Sequence, residues 1–304
     1  MSSPFTSLGR RSRSLCLCLC LVGMGLWIAD SSLSQARAEA KEAAIPTFTR
    51  AQLGLLRKLR SANIIYLGET HDSAADHEAQ LGIVRALHSE HPKMAIAMEM
   101  FQRPYQVYLS GASSEEDLLA QTEYRKRWGF DWNLYAPIVR FARAKEIPLL
   151  AISAPTEISR KVAKLGLGSL EGEDFKWIPP RAEIDTTNAA YRARMLKVYE
   201  SFHAGKGKSD GFDRFFQTQV LWDETMAEAI AEYWLKHPDR KIVVLVGQGH
   251  VLFGDGVPSR VARRLKAASR QDWKQYSVLI NPPEEVKNLP SRAADFFWFS
   301  SIPK

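Results

Sequence analysis

Histidine recurs in one short spacing, Gly68-Glu69-Thr70-His71 and Gly247-Gln248-Gly249-His250, both of the form Gly-x-x-His. An imidazole titrates near neutral pH, so it can move a proton or ligate a transition metal. One carboxylate, Glu69, sits inside the first copy, and another, Glu99, ends the apolar run Met94-Ala95-Ile96-Ala97-Met98. A single Gly-x-x-His arises often by chance. Two copies after runs of similar composition, with two carboxylates to join them, mark Glu69, His71, Glu99 and His250 as one candidate cluster.

The elements that must position this cluster lie around it. Ile64-Ile65-Tyr66-Leu67 and Ile242-Val243-Val244-Leu245-Val246 are continuous apolar runs, the pattern of strands buried on both faces. Each run meets a glycine, which would let the backbone turn sharply before a polar tip. Both histidines, and Glu99 after its own run, then fall at the carboxyl edge of a parallel sheet, where α/β folds carry their sites.

Strand-like and helical patterns alternate along the chain. Residues 76–91 carry a helical period that Pro92 stops, 94–101 read as a strand, 133–146 as a helix and 147–153 as a third strand. This is β-α-β order with right-handed crossovers. The middle differs: a short helix at 156–165, a glycine-bearing loop at 166–172, and long helices at 186–202 and 214–237 form a helical insertion or lid, about 156–238, before the sheet resumes at Lys241. Asp223-Glu224, Glu228 and Glu232 stand at helical spacing there and read as a solvated acidic face. Gly205-Lys206-Gly207-Lys208 reads as a flexible basic loop, and 276–281 and 296–300 as late strands. The expected class is α/β, a mainly parallel sheet flanked by helices, in a single domain over residues 39–304.

Residues 1–38 read as an export signal. Arg10, Arg11 and Arg13 precede an apolar core from Leu15 to Ala29, and Ala36-Arg37-Ala38 supplies a small-x-small cleavage site. Left uncleaved, the same segment would associate the chain with a membrane, but its core is short for a bilayer span. All three cysteines lie in this segment and open its core instead of ending it, which speaks against a lipid-bearing cysteine. The exported product would reach the periplasm or cell envelope with no thiol, leaving His, Asp, Glu, Tyr and Ser for chemistry. Removing four Arg and one Asp with the signal lowers the formal charge from +7 to +4. That balance, without an aromatic-basic stripe, excludes nucleic acid as an expected partner.

Seven blocks in one order resemble the ChaN family, the haem-binding branch of the Tiki, TraB and erythromycin-esterase-like superfamily. They are Leu67-Gly68-Glu69-Thr70-His71-Asp72, Ala97-Met98-Glu99-Met100-Phe101, Trp128-Gly129-Phe130-Asp131-Trp132, Tyr135-Ala136-Pro137-Ile138, Ile147-Pro148-Leu149, Leu221-Trp222-Asp223-Glu224-Thr225-Met226-Ala227, and Val246-Gly247-Gln248-Gly249-His250 with Gly256-Val257-Pro258 after it. The resemblance implies an α/β sheet with a helical lid, an exported protein, and a role in haem or iron uptake. It also implies haem held by a tyrosine in a pocket shared by two subunits, hence a homodimer with haem or another iron-containing ligand as partner. Tyr105, Tyr108 and Tyr135 are the candidate ligands on that basis.

The wider superfamily implies a different use of the same residues. In its Tiki-like metalloprotease branch the paired Gly-x-x-His motifs hold a metal, which here assigns His71, Glu99 and His250 to a divalent transition ion. In its esterase-like branch similar residues activate water, which makes Glu69, His71, Glu99 and His250 the catalytic candidates of a hydrolase.

Overall fold

In a computed structural model, residues 47–202, 211–287 and 293–300 are described. The expected signal segment and the Gly205–Lys208 loop lie outside them. The chain runs α1 (Arg50–Leu59), β1 (Ile64–Glu69), α2 (Ala74–Glu90), β2 (Met94–Gln102), α3 (Gln106–Gly111), α4 (Glu115–Gln121), α5 (Tyr124–Arg127), α6 (Trp132–Ala144), β3 (Leu149–Ser153) and α7 (Thr156–Leu165). Short 3-10 turns lead into α8 (Ala189–Phe202) and α9 (Gly211–Lys236), followed by β4 (Lys241–Gly247), α10 (Val257–Ala267), β5 (Gln275–Ile280), α11 (Glu284–Lys287) and β6 (Phe296–Trp298).

The apolar runs form strands because both sheet faces are covered. Every residue of β1, β2 and β4 is buried. Alternate residues serve opposite layers, as the period of two requires. Ile65, Leu67, Ile96, Met98, Val243 and Leu245 pack with Leu59 of α1, Ile83 and Leu87 of α2 and Ile138 of α6. Ile64, Tyr66, Ala95, Ala97, Ile242 and Val244 pack instead with Met226, Ile230 and Trp234 of α9 and Val261 of α10. Fully burying one such side chain contributes roughly 1.5–3 kcal/mol.

The six strands are all parallel and stand in the order β3-β2-β4-β1-β5-β6. The α/β class expected from the alternating pattern is the class observed. The centre of the sheet is thus β2-β4-β1, the three strands whose ends carry Glu99, His250 and His71.

The segment from α7 to α9 does two jobs. Tyr191 and Met195 of α8 pack on Phe216 and Val220 in the first half of α9, forming a small core of their own. The second half of α9 lies directly on the sheet. Of the acidic residues of α9 whose spacing suggests a solvated face, Glu232 is exposed, whereas Asp223, Glu224 and Glu228 are not. Asp223 and Glu224 are fully buried, and Glu224 pairs with Arg260 (3.2 Å), Arg263 (2.6 Å) and Arg264 (3.0 Å) of α10. Glu228 and Glu232 pair with Arg103. Arginines distant in sequence supply the countercharge that makes this burial tolerable.

Candidate functional site

Strand register brings the two Gly-x-x-His copies side by side. Glu69 is level with Gly247 across the β1–β4 ladder, and Met98 is level with Leu245 across β2–β4. Each glycine makes room for the other copy. A Cβ on Gly68 would stand 2.8 Å from Val251 Cγ2 and 3.1 Å from Gln248 Cα; one on Gly247 would stand 2.8 Å from His71 Nε2. Neither glycine supplies the sharp turn expected from the sequence. Gly68 lies inside β1, and Gly247 has φ −58° and ψ 137°, which any residue can adopt. Close approach is the physical requirement.

His71 is oriented by its own strand. Its Nδ1–H donates to Glu69 Oε1 at 2.9 Å, and Glu69 also accepts from the Tyr135 hydroxyl (2.9 Å) and from Gln80 Nε2 (2.6 Å). His77 Nε2 donates to the backbone oxygen of His71 at 3.0 Å. The His71 ring centroid lies 4.9 Å from those of Trp128 and Phe130. Burial favours the neutral ring, but the hydrogen bond to Glu69 and the charges of Glu99 and Glu69 outweigh it, so the His71 pKa lies above its ordinary value.

His250 is held by more distant elements. Its Nδ1–H donates to Asp223 Oδ1 at 2.7 Å, and its Nε2 lies 3.5 Å from Glu99 Oε1. Glu99 Oε2 accepts from the Gly247 N–H at 2.7 Å, and Arg260 lies 3.7 Å from Asp223 Oδ2. Burial opposes charge on both His250 and Glu99. The carboxylates of Glu99 and Asp223 nonetheless raise His250 to about 10, and the His250 charge and hydrogen bond lower Glu99 to about 2. At neutral pH the pair is imidazolium and carboxylate.

The sequence-derived cluster is therefore brought together: Glu69 touches His71, Glu99 faces His250, and His71 Nε2 and Glu99 Oε2 both lie within 4 Å of a Cβ built on Gly247. Among the described residues, no group of three His, Cys, Asp or Glu side chains has the arrangement to hold a metal ion. Two acid–imidazole pairs can instead hold or exchange protons above a common floor.

That floor opens into a cavity of about 770 Å³ lined by His71, Glu99 and His250. Small-molecule and cofactor pockets span roughly 300–1,000 Å³. Trp128, Phe130, Phe215 and Trp222 give it aromatic walls, Arg160 adds positive charge, and Arg127 lies on the same lining paired with Glu123 and Glu157. None of the three tyrosine candidates lines it. Tyr135 is fully buried behind His71; Tyr105 donates to Glu123 (3.0 Å) beneath Arg127; Tyr108 is exposed beside Tyr105. Tyr199, on α8, does line the cavity. Sequence reasoning passed over Tyr199, Gln80 and the partnership of Asp223 with His250. The unbroken block Leu221–Ala227 was the available signal for Asp223, since an acidic pair embedded in apolar residues suits a buried position better than a solvated one.

The family description "Haem-binding uptake, Tiki superfamily, ChaN" matches residues 55–261. The fold is similar to a structure of ChaN of Campylobacter jejuni described for cofacial haem binding, with TM-score 0.61, 18% identity, and coverage of 80% of this chain and 89% of that one. An erythromycin esterase mutant in its open conformation aligns with TM-score 0.46 and 16% identity over 79% of this chain and 75% of that one. A curated relative, the chloroplastic RETICULATA-RELATED 5 protein of Arabidopsis thaliana, is 27% identical over 80% of this chain, and the chain spans about a third (35%) of that protein's length. The match extends from α1 to α10 and takes in both Gly-x-x-His copies, Glu99 and Asp223, so the chain belongs to the ChaN haem-binding uptake family of the Tiki superfamily.

Proposed function

We propose that this protein binds haem in the cavity above the His71–Glu99–His250 floor. The observation that carries the reading is the combination within one cavity: aromatic walls, two arginines, and nitrogen and oxygen donors on its lining. A porphyrin buries an apolar plane, its propionates favour cations, and its iron takes an imidazole or phenolate. The residues present fit all three demands. Family membership supports the same ligand. Titrating the purified protein with hemin should shift the Soret band to a saturating end point and raise the unfolding temperature. An unshifted spectrum at micromolar protein would reject the reading.

Hydrolysis is a second reading, favoured by the two acid–imidazole pairs. His71 in its neutral form can take a proton from water, while His250, held as a cation, can face the negative charge that develops on an attacked carbonyl. A panel of esters and peptides, assayed with and without chelator, tests this and any metal dependence together. Turnover that His71→Ala abolishes, in a protein that fails to take up hemin, would replace the first reading by the second.

We further propose that residues 1–38 direct export and are removed, so that haem would be met outside the cytoplasm in the setting of haem or iron uptake. The basic, apolar and small-x-small segments support this. No helix among the described residues is long and apolar enough to cross a membrane. Mass spectrometry of the native product should find an N-terminus near Glu39 and no acyl group. A retained segment, or a lipid on Cys16, Cys18 or Cys20, would overturn it.

A further inference from the structure

We propose that Arg194 is a positioning residue of the cavity: it latches α8, which supplies part of the wall at Tyr199, to the loop 249–256, which carries His250 on the floor; this rests on the haem reading above. Arg194 reaches out of α8 to three acceptors on that loop. It donates to Gly249 O at 3.3 Å and to Leu252 O at 3.2 Å, and it pairs with the Asp255 carboxylate. Both side chains of the ion pair are largely buried, where a charged donor shared among several oxygens holds more firmly than at the surface.

The loop is of a kind that needs holding. Phe253 has φ +59°, in the left-handed region that a bulky side chain adopts only at a cost, and such a conformation persists where surrounding groups over-determine it. The Arg194 guanidinium stands 5.6 Å from the Phe253 ring, and the Phe253 N–H donates to Ala293 O at 2.7 Å. Arg260 of α10 grips the same loop, donating to Asp255 O at 2.7 Å and to Gly256 O at 3.0 Å. Tyr191 of α8 joins the two arginines, its ring 5.0 Å from each guanidinium. The loop in turn presses on the floor, since a Cβ on Gly256 would stand 2.1 Å from His250 O. A movement of α8 therefore reaches His250 through Arg194. It also carries Tyr199, about 7.5 Å further along the helix at 1.5 Å per residue, on the cavity wall. Whichever wall or floor donor meets the iron, its approach depends on this spacing.

Two measurements separate the latch from the ligand. Hydrogen exchange of the ligand-free protein reads the hydrogen-bonded loop amides of Val251, Phe253 and Gly254, and transfer of bound hemin to excess apomyoglobin reads its dissociation rate. Circular dichroism verifies the fold of each variant. Arg194→Met and Asp255→Asn should each speed both the exchange of these amides and hemin dissociation by roughly tenfold. The double variant should be little worse than either single one, because both changes remove one interaction. Arg194→Lys, with a point charge in place of a planar fork, should fall between. Arg270→Met, which removes an ion pair with Asp272 in the turn after α10, should change neither rate. Unchanged loop exchange in Arg194→Met would overturn the latch. Faster exchange with an unaltered hemin dissociation rate, or equal hemin loss from Arg270→Met, would overturn the positioning role. A wild type that takes up no hemin would reject the haem reading and the positioning role with it, whereas the exchange rates would still decide whether the latch exists.

Discussion

The ends of β1 and β4 carry the same pattern and stand level in the sheet, yet they hold their histidines by different means. His71 is fixed by Glu69, two residues earlier on its own strand, and faces the cavity. His250 is fixed by Asp223 on α9 and Glu99 on β2, and lines the same cavity with less of its side chain exposed. The local arrangement leaves one nitrogen available; the distant one consumes both. A motif thus sets where an imidazole stands, and its partners set what it can do.

Breaking the distant arrangement should cost most. Asp223→Ala removes the carboxylate between His250 and Arg260 and leaves buried charge uncompensated, so the fold should lose about 3–5 kcal/mol in urea denaturation. A loss under about 1 kcal/mol would mean that water replaces Asp223 and that the burial argument fails.

The reciprocity of the two copies is tested by their glycines. Gly247→Ala drives a Cβ into His71 and should cost about 1–3 kcal/mol, with weakened hemin uptake. Gly249→Ala, two residues on in the same pattern, meets nothing within 4 Å and should stay within about 0.5 kcal/mol of the wild type. Equal effects at the two positions would remove close approach as the reason for glycine.

Acidity separates the two ends further. His250 has a raised pKa, so its stabilisation is complete below its unfolded value of 6.5 and is lost as pH climbs toward about 10. Glu99 has a lowered pKa, so its stabilisation is complete above its unfolded value of 4.5 and is lost as pH falls toward about 2. Both contributions are whole only between pH 4.5 and 6.5, where the urea midpoint of the wild type should peak. A Glu99→Gln, His250→Gln double variant should flatten that profile, and an unchanged profile would show that other groups dominate.

The smallest effect concerns the cavity margin. Arg160 is exposed, so Arg160→Ala should change stability by less than about 0.5 kcal/mol. Hemin affinity should fall several-fold and become less sensitive to salt, because a cation near a propionate acts through a screened field. Unaltered salt dependence would assign the anion contact elsewhere.

Much of the scaffold could be read in advance for one reason: both faces of the central strands are covered, and uninterrupted apolar runs such as Ile242–Val246 announce that condition. The helix at Thr156–Leu165 was foreseen to the residue, and the β-α-β alternation led correctly to a parallel sheet. Glu69, His71, Glu99 and His250 were recognisable because strand ends in such sheets converge. The acidic pair in α9 was misread because helical spacing reports which residues share a face, while the arginines of α10 that decide whether that face is buried lie far along the chain.

What the sequence determined by itself was therefore periodic and local: strands from apolar runs, helices from their repeat, and the placing of Glu69 and His71 together at the end of one strand. What only the tertiary structure decided was the company each group keeps. The strand order β2-β4-β1 makes neighbours of segments far apart in sequence, turns two glycines into clearances for each other's motif, and places Asp223 against His250. Coulombic and steric energies depend on distance through space, and no spacing along a chain encodes that distance until the fold has set it.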